Sequence, residues 1–544
     1  EPYSTYTESR VYSLGSLYTY SSRRFDETAQ ATLNMQRMFG DFTFKSKFSY
    51  IYERRFLEWN NATGTDFAFD VNRLKVFDNV VGEISADNET TEEVTRNGLG
   101  ILSADYKGKY ILDGMFRMDG SSLFGANERW APYYRISGAW RIGEDFKIPG
   151  IQELKVRAAY GTSGQRPGFS YQYEVMALSR GNASKYLLGN EDLKPAQSKE
   201  MEVGLNVEFL NMFDFEATYS NSETTDQFVR APQAVHAGGW QFRWINGGTI
   251  QTNVFEATLG ANLVRKSNFS WNARLIFDKA QSKITKLDVP AFQTGPEGQE
   301  ADKLFYMREG EVFGTMYGYH FLTSLEEMEK QLPAGSTISD YELNSDGYVV
   351  PVGTQGTIYE VPVLEKENGA NKLVKIGDAT PDFNVKFSTN LNYKEFQLYM
   401  LWDWKQGGDI YNKSSQWLTR DNRSAMMDQF GKPENQKKTV TYYQTLYYIN
   451  EMNDFWVEDG TYLKLREMSL YYNLGAKKLS KFANGFVKGI KVGIIGRNLL
   501  TFTNYSGYDP EVQTNDSSGA QNYAYDFMGY PNYRSYSASL EIKF

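Results

Sequence analysis

The residues able to do chemistry are few and scattered. "ELNSDGYV" sets Glu342, Asn344 and Asp346 at alternate positions before Gly347. Hard oxygens around a glycine turn form the first half of a calcium loop. The twelfth position from Glu342 is Gly353, so the usual bidentate glutamate is missing. The competing reading is an ion-free Asx-type turn; apart from this structural calcium the sequence points to no cofactor. Trp240 and Trp244 in "GGWQFRWING", with Trp59 and Trp417, fall in stretches expected to be long loops. Such aromatic faces stack on sugar rings or on apolar side chains of peptides. An interfacial aromatic girdle or plain loop packing are the alternatives. Arg117, Lys155, Arg157 and Lys386 lie on the polar side of alternating segments, where they can meet a ligand or neighbouring charges. "RMDGSSLFG" (117–125) lacks the strand–helix unit and the Gly-Lys-Ser/Thr of a phosphate loop, so it reads as a Gly/Ser-rich connection. The two histidines, His236 and His320, are far apart, lack ligand spacing and read as incidental. No Ser/His/Asp or Cys/His arrangement and no placed carboxylate pair emerges, so the chain does not read as an enzyme.

These residues must be positioned by 544 residues that hold 39 Tyr, 35 Phe and 47 Gly, at a mean hydropathy of −0.54. Many aromatics within a polar chain suit short alternating strands. No apolar run reaches the roughly 18 residues of a membrane helix. Cysteine is absent, which excludes disulfides and thiolate metal sites. The net charge of −9 makes nucleic acid a poor partner. "EPYSTYTESR" has neither the basic nor the apolar region of a signal peptide, as expected for a mature or trimmed chain, or for one starting inside a longer protein.

Alternation at period two recurs along the chain. "MEVGLNVEF" sets Met201, Val203, Leu205, Val207 and Phe209 against Glu202, Asn206 and Glu208. "DFNVKFSTNLNY" sets Phe383, Val385, Phe387, Leu391 and Tyr393 against Asn384, Lys386, Ser388, Asn390 and Asn392. Trp402 and Trp404 share the apolar side of another such segment. "YLKLREMSLYY" breaks step between Leu465 and Met468, which predicts a β-bulge. A soluble sandwich can also alternate. The connections argue for a membrane barrel: tight links at 39–41, 107–109, 210–212, 266–268 and 393–395 alternate with long polar segments near 53–94, 164–196, 222–247, 283–310, 407–460 and 503–531. The pattern predicts an all-β, up-and-down transmembrane barrel wall of roughly 18 antiparallel strands, with short periplasmic turns and long extracellular loops. Parity demands one more, poorly patterned strand within 322–381. The closing strand "SYSASLEIKF" then ends on the periplasmic side.

Five stretches carry a family likeness: "MFRMDGSSLFGANERWAPYYRISGAWRI" (115–142), "LKVRAAYGTSGQ" (154–165), "LKPAQSKEMEVGLNVEF" (193–209), "VEDGTYLKLREMSLYYNL" (457–474) and "GRNLLTFTNYSGYDPEV" (496–512). In this order they resemble the SusC-like (SusC/RagA family) TonB-dependent outer-membrane transporters of Bacteroidota. The resemblance implies a bacterial outer-membrane barrel of about 22 strands around an N-terminal plug. It implies a SusD-like surface lipoprotein as lid and energy from TonB-ExbB-ExbD through the plug. It further implies contact with outer-membrane lipid and lipopolysaccharide, and import of oligosaccharides or peptides. Residues 1–544 then read as the C-terminal part of the barrel, without plug, TonB box or first strands. On this reading Arg117, Lys155, Arg157 and Lys386 face the lumen, where contact with the plug or a remaining barrel segment joins substrate contact as a reading. The alternative function is a structural, adhesive or secretion-associated outer-membrane barrel. A third reading, a soluble carbohydrate-binding β-protein, predicts solubility without detergent.

Overall fold

The computed structural model describes residues 15–69, 76–179, 182–233, 238–295, 303–447, 451–479, 486–511 and 524–544. One large antiparallel sheet takes fifteen strands in strict sequence order. They are β1 (Ser16–Phe39), β2 (Phe42–Thr65), β3 (Ile84–Tyr106), β4 (Tyr110–Ser121), β5 (Trp130–Arg141), β6 (Ile151–Gln165), β7 (Ala196–Phe209), β8 (Phe213–Thr225), β9 (Gly248–Lys266), β10 (Phe269–Leu287), β11 (Pro381–Tyr393), β12 (Phe396–Gly407), β13 (Tyr462–Gly475), β14 (Gly489–Thr503) and β15 (Ser535–Lys543). The expected all-β meander is thus observed, with fifteen described wall strands in place of the roughly 18 anticipated from alternation.

All five tight links are turns between paired strands. In the β3–β4 turn Lys107 and Gly108 have φ of 56° and 68°, and between β7 and β8 Leu210 and Asn211 have 54° and 53°. Consecutive left-handed residues give a hairpin turn the twist of its strands, so even a leucine is held there. The links at 142–150 and 476–488 lie on the same edge of the sheet; the opposite edge carries 66–83, 122–129, 166–195, 226–247, 288–380, 408–461 and 504–534.

Two sequence expectations are corrected. The stretch 53–94 is mostly wall: β2 continues to Thr65 and β3 begins at Ile84, in unbroken register. Their few apolar residues, Phe56, Leu57 and Trp59 among them, fall on both faces among polar ones, so alternation could not reveal them. The extra strand sought within 322–381 does not exist as a wall strand. The region belongs to the 288–380 connection, which holds short pieces such as Thr315–Gly318 and Tyr341–Leu343 and the helix Leu325–Glu329. Its apolar residues, including Leu322, Met328 and Val349, pack on one another and not along one face of a strand.

The chain divides into two compact units: 1–138, 159–199 and 224–247 in the first, and 139–158, 200–223 and 248–544 in the second. In the first, β1, β2 and β3 are 24, 24 and 23 residues long, about twice what crosses a bilayer. Its connections build a four-stranded sheet from Val175–Ser179, Asn182–Leu188, Phe228–Pro232 and Phe242–Asn246. In the second, β12 and β13 show how the two faces are kept apart. Phe396, Leu398, Met400, Trp402 and Trp404 stand in register with Tyr472, Leu470, Met468, Leu465 and Leu463. Ten apolar residues therefore share one face. The predicted bulge is present: Leu401 pairs with Glu467 and Trp402 with Leu465, leaving Arg466 as the extra residue.

Candidate functional site

In the second unit the 288–380, 408–461 and 504–534 connections share one apolar core. Phe305, Met316 and Phe321 come from the first, Tyr411, Tyr442 and Trp456 from the second, and Ala524 and Tyr525 from the third. Removing a large side chain from water contributes about 1.5–3 kcal/mol, so the core holds the connections as a body. Two helices rigidify the middle connection, Lys413–Arg420 and Val440–Tyr447. The first is capped by Asn412, whose Oδ1 accepts from the Ser415 N–H at 2.9 Å.

Buried polar links fix which connection meets which. Glu360 and Lys438 form an ion pair with side-chain exposures of 0% and 2%. The Glu360 carboxylate also accepts from Asn344 Nδ2 at 2.9 Å and from the Gly356 N–H at 2.7 Å. The Tyr442 hydroxyl donates to Asp346 at 2.7 Å; burial, then this hydrogen bond, pushes its pKa up. The Tyr348 hydroxyl is pushed up to about 12, chiefly by burial and then by the nearby Asp454 and Asp346 charges. Between the second and third connections, Ser414 Oγ donates to Asp526, which within the third also accepts from the Tyr505 hydroxyl. Asn412 Nδ2 donates to Glu458 at 2.8 Å, which also accepts from the Ser506 N–H at 2.7 Å.

Where the third connection meets the wall, two cations of β13 grip it. Lys464 Nζ donates to Asp509 at 2.5 Å and to Glu511 at 2.7 Å. Arg466 binds Glu511, and also Asp403 of β12 at 2.5 Å. Asn532 closes the ring by donating to Asp509 at 3.1 Å and to Glu511 at 3.1 Å. Burial opposes ionisation of Glu511, but its hydrogen bonds to Arg466 and Lys464 prevail and hold its carboxyl at about 2.

The residues singled out by sequence do not converge. Glu342, Asn344 and Asp346 each serve a different protein donor. Glu342 accepts from the Gly353 N–H at 3.0 Å. Asn344 Oδ1 accepts from the N–H groups of Asp346 at 3.0 Å and Tyr348 at 2.9 Å. This is an Asx turn, its oxygens already occupied, and among the described residues no cluster of three His, Cys, Asp or Glu can hold a metal. Trp59 is not on a loop: it lies within β2, stacked with Tyr20 at 6.4 Å. Trp240 is buried, with the Lys185 ammonium 5.5 Å from its ring. Trp244 stacks on Tyr171 at 3.8 Å. Trp417 is in a helix, with the Arg420 guanidinium 3.7 Å from its ring and Phe527 against its edge. Arg117 pairs with Asp119. Arg157 binds Glu202, Glu216 at 2.9 Å and Thr218 at 2.5 Å. Lys155 sits two residues before Arg157 on β6, half-buried, and Lys386 is exposed on β11 in register with Asp403. The 117–125 stretch is the end of β4 and its connection, tucked in so closely that a Cβ on Gly125 would lie 2.2 Å from the Glu191 carbonyl oxygen. His236 lies outside the described residues. His320 is not incidental, because it is paired with Asp454. A polar recess of about 260 Å³ on β8–β12 is lined by Asp214, Asn262, Asn272, Arg274, Asn390 and Tyr399.

Sequence reasoning missed Lys464, Arg466, Glu360, Lys438 and Glu511. The Lys464–Arg466 spacing was visible, but the partners Asp403, Asp509 and Glu511 are too far along the chain for any local pattern to join them.

Comparison with known proteins gives this architecture its family. The model of the TonB dependent receptor-like β-barrel matches residues 2–300. The chain is 27% identical over 467 residues to "TonB-dependent receptor P3" of Formosa agariphila, covering 82% of this chain and 45% of that protein. It is 20% identical to "TonB-dependent receptor SusC" of Bacteroides thetaiotaomicron over 84% of this chain and 45% of that one. It superposes on the structure of the RagAB peptide transporter with a TM-score of 0.71 at 18% identity, covering 97% of this chain and 56% of that chain. It spans about half the length of the curated relatives it matches. Its two-faced meander, its turns and its sequence agree: the chain belongs to the TonB-dependent receptor-like β-barrel family.

Proposed function

We propose that the chain forms part of the wall and the outer loops of a TonB-dependent outer-membrane importer that works with a SusD-like lipoprotein to take up oligosaccharides or peptides. The observation that carries this reading is the segregation of faces on β12 and β13, where ten apolar residues in register share one side, as strands need between lipid and a watery lumen. The long connections form the outward side, the tight turns the periplasmic side, and β15 delivers the C-terminus to the periplasm. The names of its relatives, a TonB-dependent receptor SusC and a RagAB peptide transporter, support transport, and the second names peptide as its cargo. The cargo-facing surface on this reading is the three-connection body described above, and Arg157 and Lys386 line the lumen. The experiment is deletion of the gene, with growth measured on a panel of single glycans and peptides, beside affinity purification of the tagged receptor. Loss of growth on one nutrient and co-purification of a SusD-like lipoprotein are expected. Unchanged growth on every nutrient overturns import, and recovery of the receptor alone overturns the partnership.

A further inference from the structure

His320 is the one described histidine, and it sits at a junction between two outer connections. Its Nδ1 lies 2.5 Å from Asp454 Oδ2 and its Nε2 lies 3.6 Å from Glu327 Oε1. Both ring nitrogens thus face carboxylates, an arrangement that suits the doubly protonated ring, since a neutral imidazole turns one lone pair toward a negative charge. Asp454 is fixed independently: its other oxygen accepts from the Phe321 N–H at 3.3 Å, and its own N–H donates to the Tyr319 carbonyl at 3.0 Å. Glu327 closes the capping box of the Leu325–Glu329 helix through the Thr323 and Ser324 N–H groups at 3.0 and 3.1 Å. The ring is a quarter exposed, so protons reach it.

We propose that His320 is a pH-operated clasp that ties residues 319–330, in the middle of the 288–380 connection, to the 408–461 connection through Asp454.

The charged and titratable groups around it are Asp454, Glu327, Tyr348 with Asp346 behind it, and the Glu365–Lys372 pair, whose Glu365 N–H donates to the His320 carbonyl at 2.8 Å. Tyr348 stays protonated in the physiological range, and the Lys438–Glu360 pair, which holds the same two connections together further along, is a lysine–carboxylate pair. Histidine is therefore the group that changes charge near neutrality. The hydrogen bond to Asp454, and more weakly the Glu327 charge, raise its pKa above the ordinary 6.5 against the opposing effect of burial. The sign follows. The charge's contribution to the clasp is fully present below the unfolded value near pH 6.5 and is lost as pH rises through the higher folded value, which leaves a neutral donor on Asp454 and a lone pair facing Glu327. What loosens is the hold of Asp454 on residues 319–330, whose Phe321 lies in the shared apolar core and whose Leu322 and Met328 are buried beside it. Its consequence for cargo rests on the outer loops being the cargo-facing surface, but the clasp itself does not.

The test is hydrogen exchange of the full-length receptor in detergent, without cargo, at pH 5.5 and 8.5, corrected for intrinsic exchange. Residues 319–330 should open about tenfold more readily at the higher pH, the size of losing one charge-assisted hydrogen bond, while residues 429–447 do not change. His320→Gln, which keeps a donor but cannot titrate, should remove the pH dependence. Should that variant fail to fold, titration of the His320 ring by NMR in the wild type decides: its midpoint must lie above the ordinary histidine value. Equal opening at both pH values, a surviving pH dependence in His320→Gln, or an ordinary midpoint each overturns the clasp. None of these outcomes depends on transport, so a failed import assay leaves them readable.

Discussion

Replacing Glu360 by Gln keeps the shape of the side chain and removes its charge. Lys438, 2% exposed, then stays buried beside a neutral amide. Breaking a buried pair by removing one partner costs about 3–5 kcal/mol, because the remaining charge is uncompensated. Asn344 donates to one carboxylate oxygen and the Gly356 N–H to the other, so the amide keeps only one of these hydrogen bonds and turns its NH2 toward the second donor, which adds to the loss of the ion pair. Native-state hydrogen exchange reads this directly: at tenfold per 1.4 kcal/mol, amides in 338–360 and 429–447 should open about 10²–10⁴ times more often in Glu360→Gln. The double variant Glu360→Leu with Lys438→Met removes both charges. It should recover most of the loss, leaving about 1–3 kcal/mol for the unsatisfied Asn344 and Gly356 donors. A change below tenfold in Glu360→Gln, or a double variant worse than the single one, would refute the claim that an unpaired buried charge sets the cost.

Arg466→Met should free Glu511 and expose 504–511 to protease at the cell surface, whereas Arg497→Met, whose Glu467 partner is reached at 3.2 Å from an exposed position, should not. Acid should act on the same grip. Glu511 has its pKa lowered, so its contribution is complete above the ordinary carboxylate value and fades as pH falls toward about 2; proteolysis of 504–511 should therefore be unchanged between pH 7 and 5 and rise below pH 4. Leu470→Arg on the apolar face of β13 should cost about 2–4 kcal/mol near the bilayer centre and lower the thermal midpoint of the folded barrel on gels, while Leu470→Ile should not. Gly204→Val should also lower that midpoint, because even a Cβ there lies 2.6 Å from the Arg157 guanidinium and displaces it from Glu202.

The wall was legible where one face was apolar, as in β7, β11 and β13, because the period-two signal is the physical requirement itself. It failed at 53–65 and 84–94, where Phe56, Leu57 and Trp59 do not alternate, the other residues are mostly polar, and backbone pairing with cross-strand pairs such as Arg54–Glu92 makes the strand. It also misled within 322–381, where apolar residues serve a loop core and not a wall. The site was harder. Tryptophans on presumed loops read as ligand-stacking surfaces, yet Trp240, Trp244 and Trp417 are engaged by Lys185, Tyr171 and Arg420. The polar residues that organise the outer body pair across separations of 78 residues for Glu360 and Lys438 and 134 for His320 and Asp454. No local pattern encodes such pairs, since only the folded core brings them together.

The bulge at Arg466 works like an inserted letter that restores a reading frame. Upstream of it Leu463 and Leu465 occupy odd positions of the apolar face; downstream Met468, Leu470 and Tyr472 occupy even ones. Delete Arg466 and every later residue of β13 changes sides, sending Glu467, Ser469 and Tyr471 to the apolar face and three apolar residues to the polar one. One residue thus keeps half a strand in phase with the membrane, and the same residue carries the charge that grips the outer loop.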